Sequence, residues 1–178
     1  PERIQTLALD ASSRTSVVLG QILLRERYGA RPVTVDAPPD PQAMLEAHDA
    51  ALVIGDPAMR ARKEGLHVLD LAEEWHAWTG LPFVFALWMV RGQAPSIATP
   101  DGVASFFHRS LDMGQSHLQA IIDEAWPSIG WTKLELREYL TENISYHLGE
   151  AERQSLELFF QKAVEHGFAP QNKALAFL

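Results

Sequence analysis

Apolar positions in the first half of the chain fall into short runs, each followed by a polar turn and then by a helix-spaced stripe. Ile4 to Leu9 alternate loosely and end at Asp10; Ser12, Ser13, Arg14 and Thr15 then precede a face made by Val18, Ile22 and Leu23. That pattern predicts strand, turn and helix. Gly29 closes the helix, Pro32 to Val35 predicts a second strand, and Pro38, Pro39 and Pro41 mark a loop before a helix over about Gln42 to Ala47. Ala50 to Ile54 is a continuous apolar run suited to burial on both faces, broken by Gly55-Asp56-Pro57. Alternation of strand and helix in this order implies a parallel sheet with right-handed crossovers.

After the polar stretch Arg60 to Glu64, His67 to Leu71 predicts a short strand and Leu71 to Trp78 a helix start. Phe83 to Val90 is the strongest strand candidate. The apolar run from Leu81 to Val90 contains Pro82 and falls short of the roughly 20 residues that a membrane span requires. Beyond Pro100 the spacing turns helical, over about Asp101 to Ile122, Thr132 to Glu142 and Gly149 to Glu165. Leu156, Phe159, Phe160 and Val164 form the apolar stripe of the last helix, and Gly167 is placed to stop it.

Composition narrows the function classes. The 178 residues are 47% hydrophobic and 21% charged, enough for a packed core in one domain or two small lobes. With 15 Lys and Arg against 23 Asp and Glu, the net charge of -8 disfavours nucleic acid and anionic membranes as partners. No Cys is present, which removes disulfides, thiolate chemistry and Cys-ligated metals and fits a cytoplasmic protein. The start, Pro-Glu-Arg-Ile, reads as neither an initiation site nor a signal peptide, so an upstream segment is expected. The seven His residues show no HExxH pattern, and no metal site is expected. GxSxG, GxGxxG and GxxxxGK[ST] are absent as well. Glu73-Glu74 reads as a solvated helix face, and Trp88, inside an apolar run, as a core residue in preference to one bordering a ligand cleft.

Two turns carry candidate chemistry, because ligands of open parallel sheets bind beyond the carboxyl ends of strands near helix N-termini. In DASSRTSV, Asp10 to Val17, hydroxyls and backbone N–H groups converge at a helix start, which suits a carboxylate. Plain capping by Ser12 or Ser13 uses the same residue types. In VIGDPAM, Val53 to Met59, Gly55 permits close approach of a ligand, and Asp56 stands at a strand exit as base, hydroxyl-orienting group or cap. A strand-terminating turn explains the same residues.

In order, LALDASSRTSVVLGQILL, ALVIGDPAM and DLAEEWHAWTGLPFVFALW resemble the chorismate dehydratase family of the futalosine route to menaquinone. The resemblance is close over the first half and looser in the helical second half. It implies an α/β, two-lobed fold of the type II periplasmic-binding-protein kind lacking its N-terminal segment here. Residues 1–82 would form an α/β lobe, and 83–178 a crossover strand and helices returning to the other lobe. The substrate would lie in the cleft between lobes.

The resemblance further implies loss of water from chorismate without a cofactor. Ser13, Arg14, Thr15, Ser16 and Gly55 would contact the substrate and Asp56 would be the catalytic candidate. Other acid–base groups would come from the absent segment. Oligomeric state stays open, with a homodimer as one option. Two competing readings remain: the sister enzyme acting on dehypoxanthine futalosine, and a non-catalytic solute-binding module on the same fold.

Overall fold

A computed structural model describes residues 1–89, 100–171 and 175. In chain order these form β1 (Thr6–Asp10), α1 (Thr15–Tyr28), β2 (Val33–Ala37), α2 (Pro41–Ala47), β3 (Ala50–Leu52), α3 (Gly55–Arg60), α4 (Leu71–Thr79), α5 (Pro100–Ser116), α6 (Leu118–Ile129), α7 (Lys133–Glu138), a π-helical turn (Tyr139–Asn143) and α8 (Glu150–Glu165). The class is mixed α/β. Two compact units result: one holds Pro1–Leu87 and resumes at Gly149, and the other takes Trp88–Leu148.

The first unit is built on a parallel sheet of order β2-β1-β3, as the alternation of strand and helix predicts. Leu7 lies opposite Thr34 and Ala50, and Leu9 opposite Asp36 and Leu52. Because β1 is central, Leu7, Ala8, Leu9 and Asp10 are all buried, whereas Val33 and Val35 on the edge strand β2 are 68% and 44% exposed. Asp49, just before β3, pins the start of β1: its Oδ2 accepts from the N–H groups of Gln5 and Thr6 and from the Thr6 hydroxyl.

Helix α1 is buried on two sides, which explains why its apolar residues are not confined to one stripe. Leu24 and Val17 pack with Leu7, Leu9 and Leu52 of the sheet. Leu19, Ile22 and Leu23 pack with Trp75 of α4 and Phe159 and Ala163 of α8. Each such Leu or Ile stabilises the fold by about 1.5–3 kcal/mol on burial. Gly20 is buried in α1 where a Cβ would stand 2.5 Å from Leu52 Cδ1, so its lack of a side chain lets the helix approach β3. Gly29 ends the helix at φ 62, its N–H bonded to Leu24 O.

Trp75 organises the second core. It is fully buried, meets Trp78, Phe83 and Phe159 edge to face, and donates its indole N–H to Ser155 Oγ at 2.9 Å. The neighbouring Glu74 accepts from the Arg27 guanidinium and, at 2.5 Å, from the Tyr28 hydroxyl, fastening α4 to the end of α1. Glu73 is exposed as a solvated face requires, but Glu74 is not free in water: its ion pair with Arg27 is half-buried. At the end of α8, His166 Nε2 lies 2.7 Å from Glu26 Oε1 of α1.

The second unit is helical. Among its described residues Ile122 and Leu136 are buried, Thr132 and Glu135 cap α7 reciprocally, and Lys133 pairs with Asp123 at 2.6 Å. Trp88 stacks on Phe107 with centroids 4.5 Å apart, yet it is 77% exposed, so it is a surface aromatic rather than the expected core residue.

Several expected elements take another form. His67 to Leu71 is not a strand: Val68 is 53% exposed, no described strand pairs with the segment, and Asp70 instead caps α4 by accepting from the N–H groups of Ala72 and Glu73. Phe83 to Met89 is irregular, since no described strand lies alongside it; Val90 lies outside the described residues. The single helix expected over Asp101 to Ile122 breaks into α5 and α6 at His117, where Ser116 Oγ donates to the Met113 carbonyl and His117 Nδ1 lies 2.9 Å from the same oxygen. The turn at Gly55-Asp56-Pro57 begins a helix of six residues.

The Trp75–Ser155 bond yields a stability prediction. Ser155→Ala leaves a buried indole N–H without its acceptor and costs about 1–3 kcal/mol. A urea midpoint unchanged from the parent protein would contradict this account of the core.

Candidate functional site at the carboxyl edge of the sheet

Parallel strands end on one edge, so the segments that follow β1, β2 and β3 meet there. The Ala11 N–H donates to the carbonyl of Ala37 at the end of β2, at 3.0 Å. Between the other two segments stands Asp10, only 1% exposed. Its Oδ1 accepts from the Ser12 N–H at 2.9 Å and the Ser12 hydroxyl at 2.6 Å, and its Oδ2 accepts from the Ile54 N–H at 3.3 Å. Both motif turns are therefore bound to one carboxylate. Burial pushes the Asp10 carboxyl up, but the bonds from Ser12 and Ile54 outweigh it and hold the group below its ordinary range.

Helix α1 begins in this turn with Arg14 at its N-cap, and no side chain caps it. The first intrahelical bond runs from the Val18 N–H to the Arg14 carbonyl at 3.3 Å, which leaves the N–H groups of Thr15, Ser16 and Val17 outside the helix ladder. The Ser12 hydroxyl is committed to Asp10 and so is not the cap that its position suggests. Arg25 and Arg27 occupy the last turn and no acidic residue the first, so the positive end of the helix dipole faces the turn that Asp10 holds.

Around this start Ser13 and Ser16 are buried, Thr15 is half-buried and Arg14 is exposed. After β3, Gly55 is exposed with φ +61, and Asp56 is exposed and paired with Arg60 at 3.1 Å. All six expected site residues thus belong to the two turns that Asp10 joins. They differ in kind: the serines sit in a sheltered, dipole-facing turn, while Asp56 has its carboxylate in water beside a cation. Among the described residues no group of three or more His, Asp or Glu could hold a metal ion. None of the described helices is long and apolar enough to cross a membrane.

Asp10 is the residue that sequence reasoning passed over. An Asp ending an apolar strand, with Ser two positions later, is the pattern of a side chain that binds the backbone of its own turn. Its bond to Ile54, 44 positions away, has no local signature.

Residues 1–165 match a family model described as menaquinone biosynthesis. A curated chorismate dehydratase from Thermus thermophilus is 32% identical over 186 aligned residues, covering 92% of this chain and 64% of that protein. The chain thus spans just under two thirds of that relative's length.

Two outcomes follow from the geometry. At Gly55 a Cβ would meet nothing within 4 Å, so Gly55→Ala is opposed by its left-handed backbone and not by crowding from this chain; unfolding in urea should show a loss of about 1–2 kcal/mol. The lowered pKa of Asp10 stabilises the fold fully above the ordinary value of 3.8, and that contribution is lost as pH falls through the lower folded value. Asp10→Asn should therefore lose less stability than the parent on acidification below about pH 4, and parallel stability–pH curves would show that the carboxylate contributes nothing.

Proposed function

The chain belongs to the menaquinone biosynthesis family, and on that premise we propose that it acts as a cytosolic chorismate dehydratase, removing water from chorismate to leave an aromatic carboxyvinyloxybenzoate. The long alignment with a chorismate dehydratase carries this reading. Its geometric support is the uncapped start of α1 beside two buried serines. In the same proposal the α/β part, residues 1–82, is one lobe of a two-lobed fold of the type II periplasmic-binding-protein kind, joined by α8, and residues 88–148 supply part of the other lobe.

Chorismate is a dianion with a ring hydroxyl and an enolpyruvyl ether. Loss of a ring proton and of hydroxide, together one water, makes the ring aromatic, so the reaction is redox-neutral and its product strongly favoured. What remains for the protein is to hold the dianion, expose the ring proton and assist hydroxide departure. The first-turn N–H groups of α1 with Ser13, Thr15 and Ser16 hold one carboxylate, and Arg14 adds positive charge. Gly55 keeps the second turn low against the substrate. Asp56 orients the ring hydroxyl or a water. As sole base it is poorly placed, because its negative charge would stand beside a dianion and its carboxylate is already paired with Arg60. A carboxylate of the substrate can receive the proton in its place.

The test uses the full-length enzyme with chorismate, following the aromatic product by ultraviolet absorbance. Thr15→Ala and Ser16→Ala should each raise the dissociation constant of chorismate roughly ten- to a hundredfold, the consequence of losing one hydrogen bond to a charged group, with little change in melting temperature. A fall in stability of about 1 kcal/mol with unchanged affinity would make these hydroxyls helix supports. Binding of chorismate without product would make the protein a solute-binding module. Turnover of a dehypoxanthine futalosine and not of chorismate would assign it to the sister reaction.

A further inference from the structure

We propose that Asp10 is a positioning residue for the substrate: its buried carboxylate holds the turn before α1 and the turn after β3 at the separation that lets both face one bound dianion. This rests on the reading of the α1 start as a carboxylate seat. Asp10 itself does not touch the reacting atoms. Both of its oxygens are occupied from within the chain, Oδ1 by the N–H and hydroxyl of Ser12 and Oδ2 by the Ile54 N–H, and it is 1% exposed. Ile54 is the N-cap of α3 and directly precedes Gly55, so the bond at Oδ2 sets where that glycine lies. The bonds at Oδ1 set the course of the chain from Ser12 into Ser13 and the first turn of α1.

Charge makes the role specific. A carboxylate beneath an anion seat repels the ligand and weakens binding by its charge alone. Set against that repulsion is the alignment of the two turns, which the bonds from Ser12 and Ile54 to this carboxylate supply. The two effects have opposite signs in Asp10→Asn, which removes the charge and also exchanges one acceptor oxygen for an NH₂ group. That NH₂ must oppose either the Ser12 donors or the Ile54 N–H, so one turn loses its hold. A positioning role predicts weaker binding, and a purely electrostatic one predicts tighter binding.

The experiment compares full-length parent, Asp10→Asn and Ser12→Ala proteins. In Asp10→Asn, amide hydrogen exchange without substrate should accelerate at Ser12, at Ile54 or at both, by at least tenfold relative to amides in the middle of α1. The KM for chorismate should rise about ten- to a hundredfold, as for loss of a charge-assisted hydrogen bond, with kcat changed far less. Ser12→Ala removes only the hydroxyl bond at an exposed residue and covers the case in which Asp10→Asn does not fold; it should raise KM several-fold with its melting temperature nearly unchanged. Unchanged exchange at both amides, a lowered KM in Asp10→Asn, or an unchanged KM in Ser12→Ala would overturn the proposal. If the parent does not consume chorismate, the proposed function fails, and the exchange measurement still judges whether Asp10 holds the two turns.

Discussion

The carboxylate of Asp10 sits where the central strand ends, and the turns on either side take their places from it. Order β2-β1-β3 makes β1 the strand whose end lies between the other two. An apolar residue there would leave the N–H groups of Ser12 and Ile54 without this acceptor and the two turns without a shared anchor. An ionised group so deeply buried would be costly by itself, but with both oxygens accepting it stays charged. Fold and candidate site therefore share one constraint.

Helix α1 extends that constraint into the core. Its first turn faces the site, and its middle and end lie between the sheet and the layer of α4 and α8. Leu19, Ile22 and Leu23 lock the helix against Trp75 and Phe159, while the Arg27–Glu74–Tyr28 cluster fastens its far end. The N–H groups at its start are held by a rigid element, which is the condition for a preorganised anion seat. Asp56 has no such support: it lies on a six-residue helix, open to solvent and paired with Arg60.

The first half of the fold was legible because its sequence agrees with itself at each level. Leu7 and Leu9 on β1, the stripe on α1, Gly29 and the prolines before α2 all point to one alternating arrangement, and the sheet follows it. The failures share a physical origin. His67 to Leu71 and Phe83 to Met89 have strand-like composition, but a strand exists only where a neighbour pairs with it, and pairing is not written locally. The break at His117 depends on side chains turning back to one carbonyl, which apolar spacing does not register. At the site, the serine turn was visible as a motif, whereas Asp10 looked like the last residue of a strand. Its long-range bond to Ile54 turns two separate motifs into one arrangement.

The central claim is that the start of α1 and the turn at Gly55 act together on one anionic ligand. Amide proton–nitrogen correlation spectra of the full-length protein, recorded as chorismate is added, test it most directly. The account predicts that the resonances of Thr15, Ser16, Val17 and Gly55 shift along one saturation curve, with amides in the middle of α1 little affected. Saturable shifts confined to other parts of the protein, with these four resonances unmoved, would contradict it.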